Sequence, residues 1–174
     1  GLFEALAGLP LVLEVRHASW DVPELYQELA ASGVGFVNVD QPLFGRSIRP
    51  SAVATAPVAY VRVHGRNFKD WFRKAAPRDA RYDYLYTAEE LAPWAARTRA
   101  LAASPLAPDV YVVTNNHFRG QAVANAAMLE SLVTGAKVEV PEPLLAAYGS
   151  VLRPFAANPQ GGQVELPLGP GDRG

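Results

Sequence analysis

Charged and polar residues that could do chemistry stand at the ends of three apolar segments. Glu14 and Arg16 close the segment LVLEVR, Asp40 closes GFVNVD, and Arg62 and His64 close VAYVRVH. Each segment alternates apolar with polar side chains, which is typical of a β-strand with two different faces. One face is suited to pack against helices, and the other brings charged groups together at the strand ends.

Proton transfer is one chemistry that these residues offer. Histidine titrates near neutral pH, so His64 and His17 are the candidate acid–base groups. A carboxylate beside a histidine can orient it or act as the base, and Glu14 and Asp40 are the candidates for that role.

Anion binding uses the neighbouring residues. Arginine's planar guanidinium matches phosphate or carboxylate with two parallel hydrogen bonds, which makes Arg16, Arg62 and Arg66 candidate ligand contacts. Asn115 and Asn116 follow the fourth apolar segment, and Asn116 is placed to cap a helix starting near Gly120. A turn and a helix cap without any ligand explain the two asparagines equally well.

Aromatic residues could stack on a sugar or a base at the edge of such a site. Trp20, Tyr82 and Tyr84 are the candidates, whereas Tyr86 and Trp94 are expected to pack in the core. The loop from Arg66 to Asp83 contains five further basic residues together with Phe68 and Trp71. This loop is a candidate nucleic-acid contact, although solvated surface loops often have the same composition.

A metal centre is the weaker interpretation of the same residues. His17, His64 and His117 could join Glu14 and Asp40 as ligands of a divalent metal, but the three histidines lack the spacing of a metal motif. Arginine cations beside a divalent ion are also unfavourable. There is no cysteine, P-loop or dinucleotide-binding glycine motif. We therefore predict neither a metal nor a cofactor.

Composition sets the broad class of the protein. The chain has 174 residues, 49% of them hydrophobic and 19% charged, which suits one globular domain with a substantial core. Sixteen basic and 17 acidic residues give a net charge of -1, without the basic excess of a nucleic-acid-coating surface. No apolar run is long enough to span a membrane, and a cytoplasmic location is predicted. The opening GLFEALAGLP resembles the end of a helix leading into a strand, so we expect the natural domain to begin further upstream.

The elements that must position these residues alternate along the chain. Strands are predicted at 11–16, 35–40, 58–64 and 110–116, and helices at 21–33, 87–104 and 120–135, with only a weak helical pattern at 43–57. Strands joined by such crossovers lie parallel, which gives the α/β class. The pattern assigns Val37, Val39, Val61 and Val63 to the helix-facing side, and Arg16, Asp40, Arg62 and His64 to an exposed opposite side.

A polar sheet face favours a closed β/α barrel, in which catalytic residues come from the carboxyl ends of the strands. An open doubly wound sheet would need two apolar faces. The charges could instead be a structural network, with Glu14 paired to Arg62 or Asp40 to Arg16.

Five ordered motifs also resemble a known family. EVRHASW, VDQP, AYVRVHGR, YDYLYTAEEL and VVTNNHFRGQAVANA, read from Glu14 to Ala126, are similar to the YecE-like family, the domain of unknown function DUF72. One departure is His117, where the family often has an acidic residue.

The resemblance implies a TIM-type β/α barrel, with this chain covering strands five to eight as a half-barrel whose helices lie on one face of a four-stranded parallel sheet. Residues 1–153 would form the C-terminal half of the barrel domain, and the Pro/Gly-rich segment 154–174 a disordered tail. The missing N-terminal half, or another copy of the chain, is the expected protein partner.

Two functions remain open. The first is a site for a small phosphorylated or other anionic ligand, with or without acid–base catalysis. The second is a nucleic-acid-binding or phosphodiester-processing module, in one version metal-dependent. The residues alone do not decide whether the protein is an enzyme.

Overall fold

A four-stranded parallel sheet forms the centre of the molecule. The computed structural model describes residues 2–6, 8–73, 77 and 79–158. The strands are β1 (Val12–Leu13), β2 (Gly35–Asp40), β3 (Val58–Val63) and β4 (Asp109–Thr114), in that order across the sheet. The helices are α1 (Leu2–Ala5), α2 (Pro23–Ala31), α3 (Ala88–Ala102), α4 (Gln121–Thr134) and α5 (Glu142–Leu152). The α/β class and the parallel sheet are confirmed, while barrel closure and the strand numbers five to eight stay predictions.

Helix ends follow the expected chemistry in α3 and α4. Thr87 and Glu90 form the predicted capping box at the start of α3. The predicted buried stripe along α3 is present, with Trp94 and Thr98 both buried. α4 stops at Gly135, whose φ of 73° a residue with a side chain rarely adopts.

The start of α2 differs from the prediction. Val22, rather than Asp21, occupies the N-cap position, and it makes no side-chain cap. The Asp21 carboxylate instead accepts a 2.6 Å hydrogen bond from the Tyr26 hydroxyl. The carboxylate is therefore held by a side chain of the second turn and does not cap the backbone.

The first strand is shorter than predicted because another segment takes its backbone groups. β1 pairs with β2 only through Val12 and Leu13. Further along, the carbonyl of Arg16 accepts hydrogen bonds from the backbone N–H of Ile48 and from the side chain of Gln41. The chain between β2 and β3 thus bonds to Arg16, the last residue that the sequence pattern assigned to β1.

That connection, residues 41–57, contains no helix, so the weak helical pattern at 43–57 was misleading. The side chain of Asn38 accepts from the Ser51 hydroxyl and from the Val53 N–H, and it donates to the Val53 carbonyl. A buried amide side chain therefore replaces the hydrogen bonds that a helix would have supplied.

The register of β2 inverts the predicted sides of this strand. Asn38 pairs with Val61 and Asp40 with Val63, whereas Val39 pairs with Arg62. Paired residues of parallel strands point to the same side of the sheet. Asn38 and Asp40 therefore face the helices, and Val37 and Val39 lie on the opposite side.

The larger core cluster lies between the sheet and the helices. Ala59, Val61 and Val63 of β3 pack there with buried residues of α3, α4 and α5, such as Trp94 and Met128. The opposite side of the sheet carries partly or fully exposed side chains, namely Glu14, Arg16, Tyr60, Arg62 and Tyr111. The sheet thus has one side packed against helices and one polar side, as a partial barrel requires.

The chain after α5 returns to the core. Ala156 is 1% exposed and forms a parallel bridge with Val138, and the Asn158 side chain bonds to both backbone groups of Val140. These contacts place 154–158, which the sequence analysis assigned to the tail, against the core; the rest of the tail, 159–174, lies outside the described residues. In the residues that the structure describes, every helix lacks the length or the apolar composition of a membrane span.

Candidate functional site

Three charged side chains, two from the segment just after β1 and one from β3, meet on the polar side of the sheet. Glu14 accepts a 2.7 Å hydrogen bond from Arg16 through one oxygen and a 2.7 Å hydrogen bond from Arg62 through the other. The Glu14–Arg62 contact reaches across β2, where Val37 and Val39 lie beneath it. We call Glu14, Arg16 and Arg62 the basic cluster, because two cations share one anion.

The basic cluster keeps its charges and remains open to solvent. The side chains of Arg16 and Arg62 are 39% and 30% exposed. Burial alone would raise the pKa of Glu14, but its hydrogen bonds and proximity to the two guanidinium groups outweigh burial and hold that pKa below its usual value. Glu14 is therefore ionised at neutral pH, and the cluster carries a net positive charge.

His64 lies beside the cluster and is buried. The residue is 5% exposed, and its ring contacts Trp71 edge-on with the ring centroids 5.0 Å apart. Burial, followed by the positive charges of Arg16 and Arg62, lowers the pKa of His64 to about 4. His64 is therefore neutral at physiological pH.

Asn115 fixes the hydrogen-bonding state of His64. Its side-chain amide nitrogen lies 3.2 Å from Nδ1 of the imidazole. An amide nitrogen can only donate, so Nδ1 accepts and Nε2 carries the hydrogen. His64 thus offers an N–H donor.

Aromatic rings cover His64 from the loop that follows β3. Tyr82 lies with its centroid 5.6 Å from that of His64 and 4.3 Å from that of His117, at shallow interplanar angles of 30° and 34°. Trp71 has the Arg16 guanidinium 5.9 Å above its ring. This loop therefore lies over the carboxyl end of the sheet, although residues 74–76 and 78 of it lie outside the described part.

Asp40 and Arg66 belong to a separate network on the helix side, which corrects their predicted place with Arg16 and Arg62. Asp40 is 1% exposed and accepts two hydrogen bonds from Nε of Arg66, one from Nη2 of Arg66, and one from the Tyr86 hydroxyl. Burial alone would lower the pKa of Arg66, but Asp40 raises it above its usual value. A carboxylate held in this way has no access to the polar side, and its pairing with Arg16 does not occur.

The network also takes up the two tyrosines that follow the loop. Tyr84 donates its hydroxyl hydrogen to Glu90, and burial together with this bond raises the pKa of Tyr84 to about 12. Burial and the nearby Asp40 raise the pKa of Tyr86 as well. The Tyr86 oxygen also accepts a 2.8 Å bond from the Gly65 N–H. Tyr86 packs in the core as predicted, and Tyr84 is turned away from the basic cluster.

Asn115 and Asn116 point to opposite sides, so only the first reaches the site. Asn116 is fully buried and donates to the Tyr84 carbonyl and to Asn125. It does not cap α4, whose N-cap position is Gly120 without a side-chain bond. The turn before α4 contains Arg119 at φ 50° and ψ 27°, an unfavourable conformation for a residue other than glycine.

His17 and Trp20 lie at the two ends of a short 3-10 turn after β1, and both are exposed. His17 is exposed, and its Nδ1 lies 2.8 Å from the Ser19 hydroxyl and accepts from the Ser19 N–H. Trp20 is 51% exposed. His17 borders a cavity of about 420 Å³ that Arg16 also lines, which places it near the basic cluster, while Trp20 does not line that cavity.

No group of three or more histidine, cysteine or carboxylate side chains in the described residues is arranged to hold a metal ion. The two carboxylates proposed for such a set, those of Glu14 and Asp40, are each engaged by arginine.

Sequence reasoning missed the roles of several residues. Trp71 was noted only as a loop aromatic, yet it contacts both His64 and Arg16. Asn125 and Gln121 of α4 hold the backbone of Tyr86 and Tyr84. The roles of Asn125 and Gln121 were hard to predict, because an asparagine or a glutamine in an Ala-rich helix is usually a surface residue.

Comparison with known proteins shows the family of the chain. The family model described as "Protein of unknown function DUF72" matches residues 2–147. A search of curated proteins found no match.

Solved structures share the fold. A DUF72 family protein from Thermotoga maritima is 36% identical with a TM-score of 0.69, and the match covers 76% of this chain and 49% of that one. A DUF72 family protein from Enterococcus faecalis is 24% identical with a TM-score of 0.66, covering 80% of this chain and 52% of that one, and supports the fold alone. The chain spans about half the length of the structures that it matches. With the family model matching most of its length, the chain belongs to the DUF72 family of proteins of unknown function.

Proposed function

We propose that the carboxyl end of this sheet binds a small phosphorylated or other anionic ligand, with Arg16 and Arg62 as its cationic contacts. The observation that carries the proposal is the unequal pairing of the basic cluster, in which two arginines share the single carboxylate of Glu14. Among the described residues, Glu14 is the only side chain to which Arg62 donates a hydrogen bond, and it does so through Nη1 alone. The remaining N–H groups of both arginines are available to a ligand with several oxygen acceptors.

His64 contributes a hydrogen-bond donor to this site. Because Asn115 holds Nδ1, the hydrogen on Nε2 is the one that remains for a ligand oxygen. Because His64 is neutral, it adds no third positive charge beside the two arginines. Its imidazole can therefore be buried there without the cost of burying a charge.

Binding fits this geometry better than acid–base catalysis does. An efficient general base has a pKa near the working pH. The pKa of His64 is lowered to about 4 and that of Glu14 is also lowered, so both are weak bases at neutral pH. If a reaction occurs here, we propose that His64 polarises a ligand oxygen and does not remove a proton.

The test is a calorimetric titration of inorganic phosphate into the purified full chain at pH 7 and low salt. Loss of one charged hydrogen-bonding group from such a site costs roughly 1.5–3 kcal/mol, so Arg62→Ala and Arg16→Ala should each weaken binding by about tenfold or more. Arg153→Ala is the matched control, since this exposed residue follows α5, outside the residues that form the site. Equal affinities for all four proteins, with circular dichroism showing native folds, would refute the proposal.

The same titration distinguishes a small-ligand site from the nucleic-acid alternative. A single-stranded oligonucleotide that binds far more tightly than phosphate, with an affinity that falls steeply with salt, would favour that alternative over a small-ligand site.

A further inference from the structure

A cavity next to the basic cluster combines positive charge with aromatic rings. It measures about 420 Å³, and its lining includes Arg16, Gln41, Phe44, Arg46, Trp71 and Phe72. We call it the aromatic cavity. Arg16 borders the aromatic cavity on one side and bonds to Glu14 on the other. A ligand held by Arg16 therefore has room to extend into this cavity.

One aromatic ring of this cavity, that of Phe72, is largely open to solvent. Phe72 is 74% exposed, and its ring lies 4.9 Å from that of Phe44 at an interplanar angle of 47°. Phe68, 52% exposed, lies against the other ring of this pair with centroids 5.4 Å apart. Large apolar side chains grouped on a surface commonly mark a binding site.

The geometry of Trp71 connects the cavity to the anion site. Its ring contacts His64 edge-on and lies beneath the guanidinium of Arg16. The same indole thus borders the cavity and also contacts Arg16 and His64, two of the three residues proposed to contact the anion. A planar ring placed in the cavity would be adjacent to an anionic group held at Arg16.

Arg46 adds a second cation at the cavity. Its side chain is exposed and forms no salt bridge with any side chain that the structure describes. Arginine can stack on a planar ring as well as bind an oxyanion, so it suits either end of such a ligand.

We propose that the ligand of this site is a phosphomonoester that carries a planar aromatic ring, as an aryl phosphate or a mononucleotide does. Its phosphate binds at Arg16 and Arg62, and its ring stacks against Phe72, Phe44 and Trp71 in the aromatic cavity. This inference rests on the proposed anion site, because Arg16 links the two halves. It goes further by assigning the cavity and the chemical class of the non-anionic part of the ligand.

A matched pair of probes isolates the ring. Phenyl phosphate and methyl phosphate present the same charged group, and only the first has a planar ring. Stacking of one ring on aromatic side chains corresponds to about a tenfold or larger gain in affinity, so phenyl phosphate should bind the full chain about ten times more tightly. Adenosine monophosphate should show a similar advantage over ribose 5-phosphate.

Two variants test whether the gain in affinity for phenyl phosphate arises in the aromatic cavity. Phe72→Ala should reduce the preference for phenyl phosphate over methyl phosphate, with Phe44 and Trp71 still lining the cavity, and the exposed ring of Phe72 makes the fold insensitive to this change. Tyr111→Ala is the control, because Tyr111 is also exposed at 56% but lies on β4 and does not line the cavity.

The outcomes separate the two proposals. If methyl phosphate binds and phenyl phosphate binds no more tightly, the assignment of the ring is wrong while the anion site stands. A preference for phenyl phosphate that Phe72→Ala leaves undiminished would place the ring elsewhere and overturn the assignment of the aromatic cavity. If neither phosphate binds, the anion site itself fails and this inference fails with it.

Discussion

Glu14→Gln is the substitution that most sharply separates an anion site from a structural salt-bridge network. Glutamine keeps the size of the side chain and one oxygen acceptor, but it removes the negative charge that Arg16 and Arg62 share. In a purely structural network this change has one effect, a loss of stability. In an anion site it also removes a repulsion against the ligand.

The size of that repulsion follows from the geometry. A phosphate dianion bonded to both arginines would lie roughly 6 Å from the Glu14 carboxylate, on the far side of the guanidinium groups. Even at the dielectric constant of water, Coulomb's law gives about 1.4 kcal/mol for charges of one and two units at this distance. Glu14→Gln should therefore raise phosphate affinity by about tenfold at low salt, and by less at 150 mM salt because of screening.

The stability of the same variant should fall. Both ion pairs of Glu14 are partly exposed, so we expect a decrease of about 1–2 kcal/mol in the free energy of unfolding, measured by urea titration. Calorimetry with inorganic phosphate at 20 mM and 150 mM salt measures the affinity. Unchanged affinity would mean that no anion binds near this carboxylate. Weaker affinity would mean that Glu14 chiefly positions the arginines, and either result refutes the reasoning.

Three further predictions concern stability and pH. Because burial lowers the pKa of His64 from 6.5 to about 4, its contribution to stability is full above pH 6.5 and is lost as pH falls towards 4. The whole shift corresponds to at most roughly 3 kcal/mol, of which about 1–2 kcal/mol should be lost between pH 7 and pH 5. Urea titrations at these two pH values should therefore show a smaller difference in His64→Gln than in the exposed control His17→Gln. Asp40→Asn should destabilise the fold by about 2–4 kcal/mol in thermal or urea unfolding, because it leaves Arg66 without its buried charged partner. A loss of stability below about 1 kcal/mol would contradict this account of the network. Gly35→Ala should lower the free energy of unfolding by about 2–3 kcal/mol, because its new Cβ would lie 2.4 Å from the Val58 carbonyl oxygen. Gly45→Ala is the control: its Cβ meets nothing within 4 Å, so the urea midpoint should not change. Equal midpoints for the two variants would show that β2 and β3 are not so closely packed.

Local patterns predicted most elements because their signals are local. The capping box at Thr87, the stop at Gly135 and the alternation of β3 each depend on residues a few positions apart. The connection 41–57 was not predictable in this way. Its backbone forms hydrogen bonds with the side chain of Asn38. No local pattern indicates that a strand residue will bond to a segment so far along the chain.

Alternation also failed to tell which side of β2 faces the helices. All six residues of β2 are buried, so the apolar set and the polar set both lie in covered positions. A period of two divides a strand into two sets, but the side that each set takes is fixed by pairing with the neighbouring strand. The register of Asp40 with Val63 therefore decided the outcome, and it moved Asp40 out of the candidate site.

The basic cluster, by contrast, was predictable because it depends on two strand ends. Glu14, Arg16 and Arg62 occupy alternate positions near the carboxyl ends of β1 and β3, and a parallel sheet brings such ends to one edge. The covering of His64 by Trp71 and Tyr82 was not predictable, because it depends on how a long loop folds back.

The most direct test of the anion site is a crystal of the full chain soaked in tungstate, an electron-dense analogue of phosphate, at pH 7. The account predicts one strong anomalous peak within hydrogen-bonding distance of the guanidinium groups of both Arg16 and Arg62, on the polar side of the sheet. A peak only at other arginines, or no peak beside this pair at a concentration that fills other sites, would contradict it.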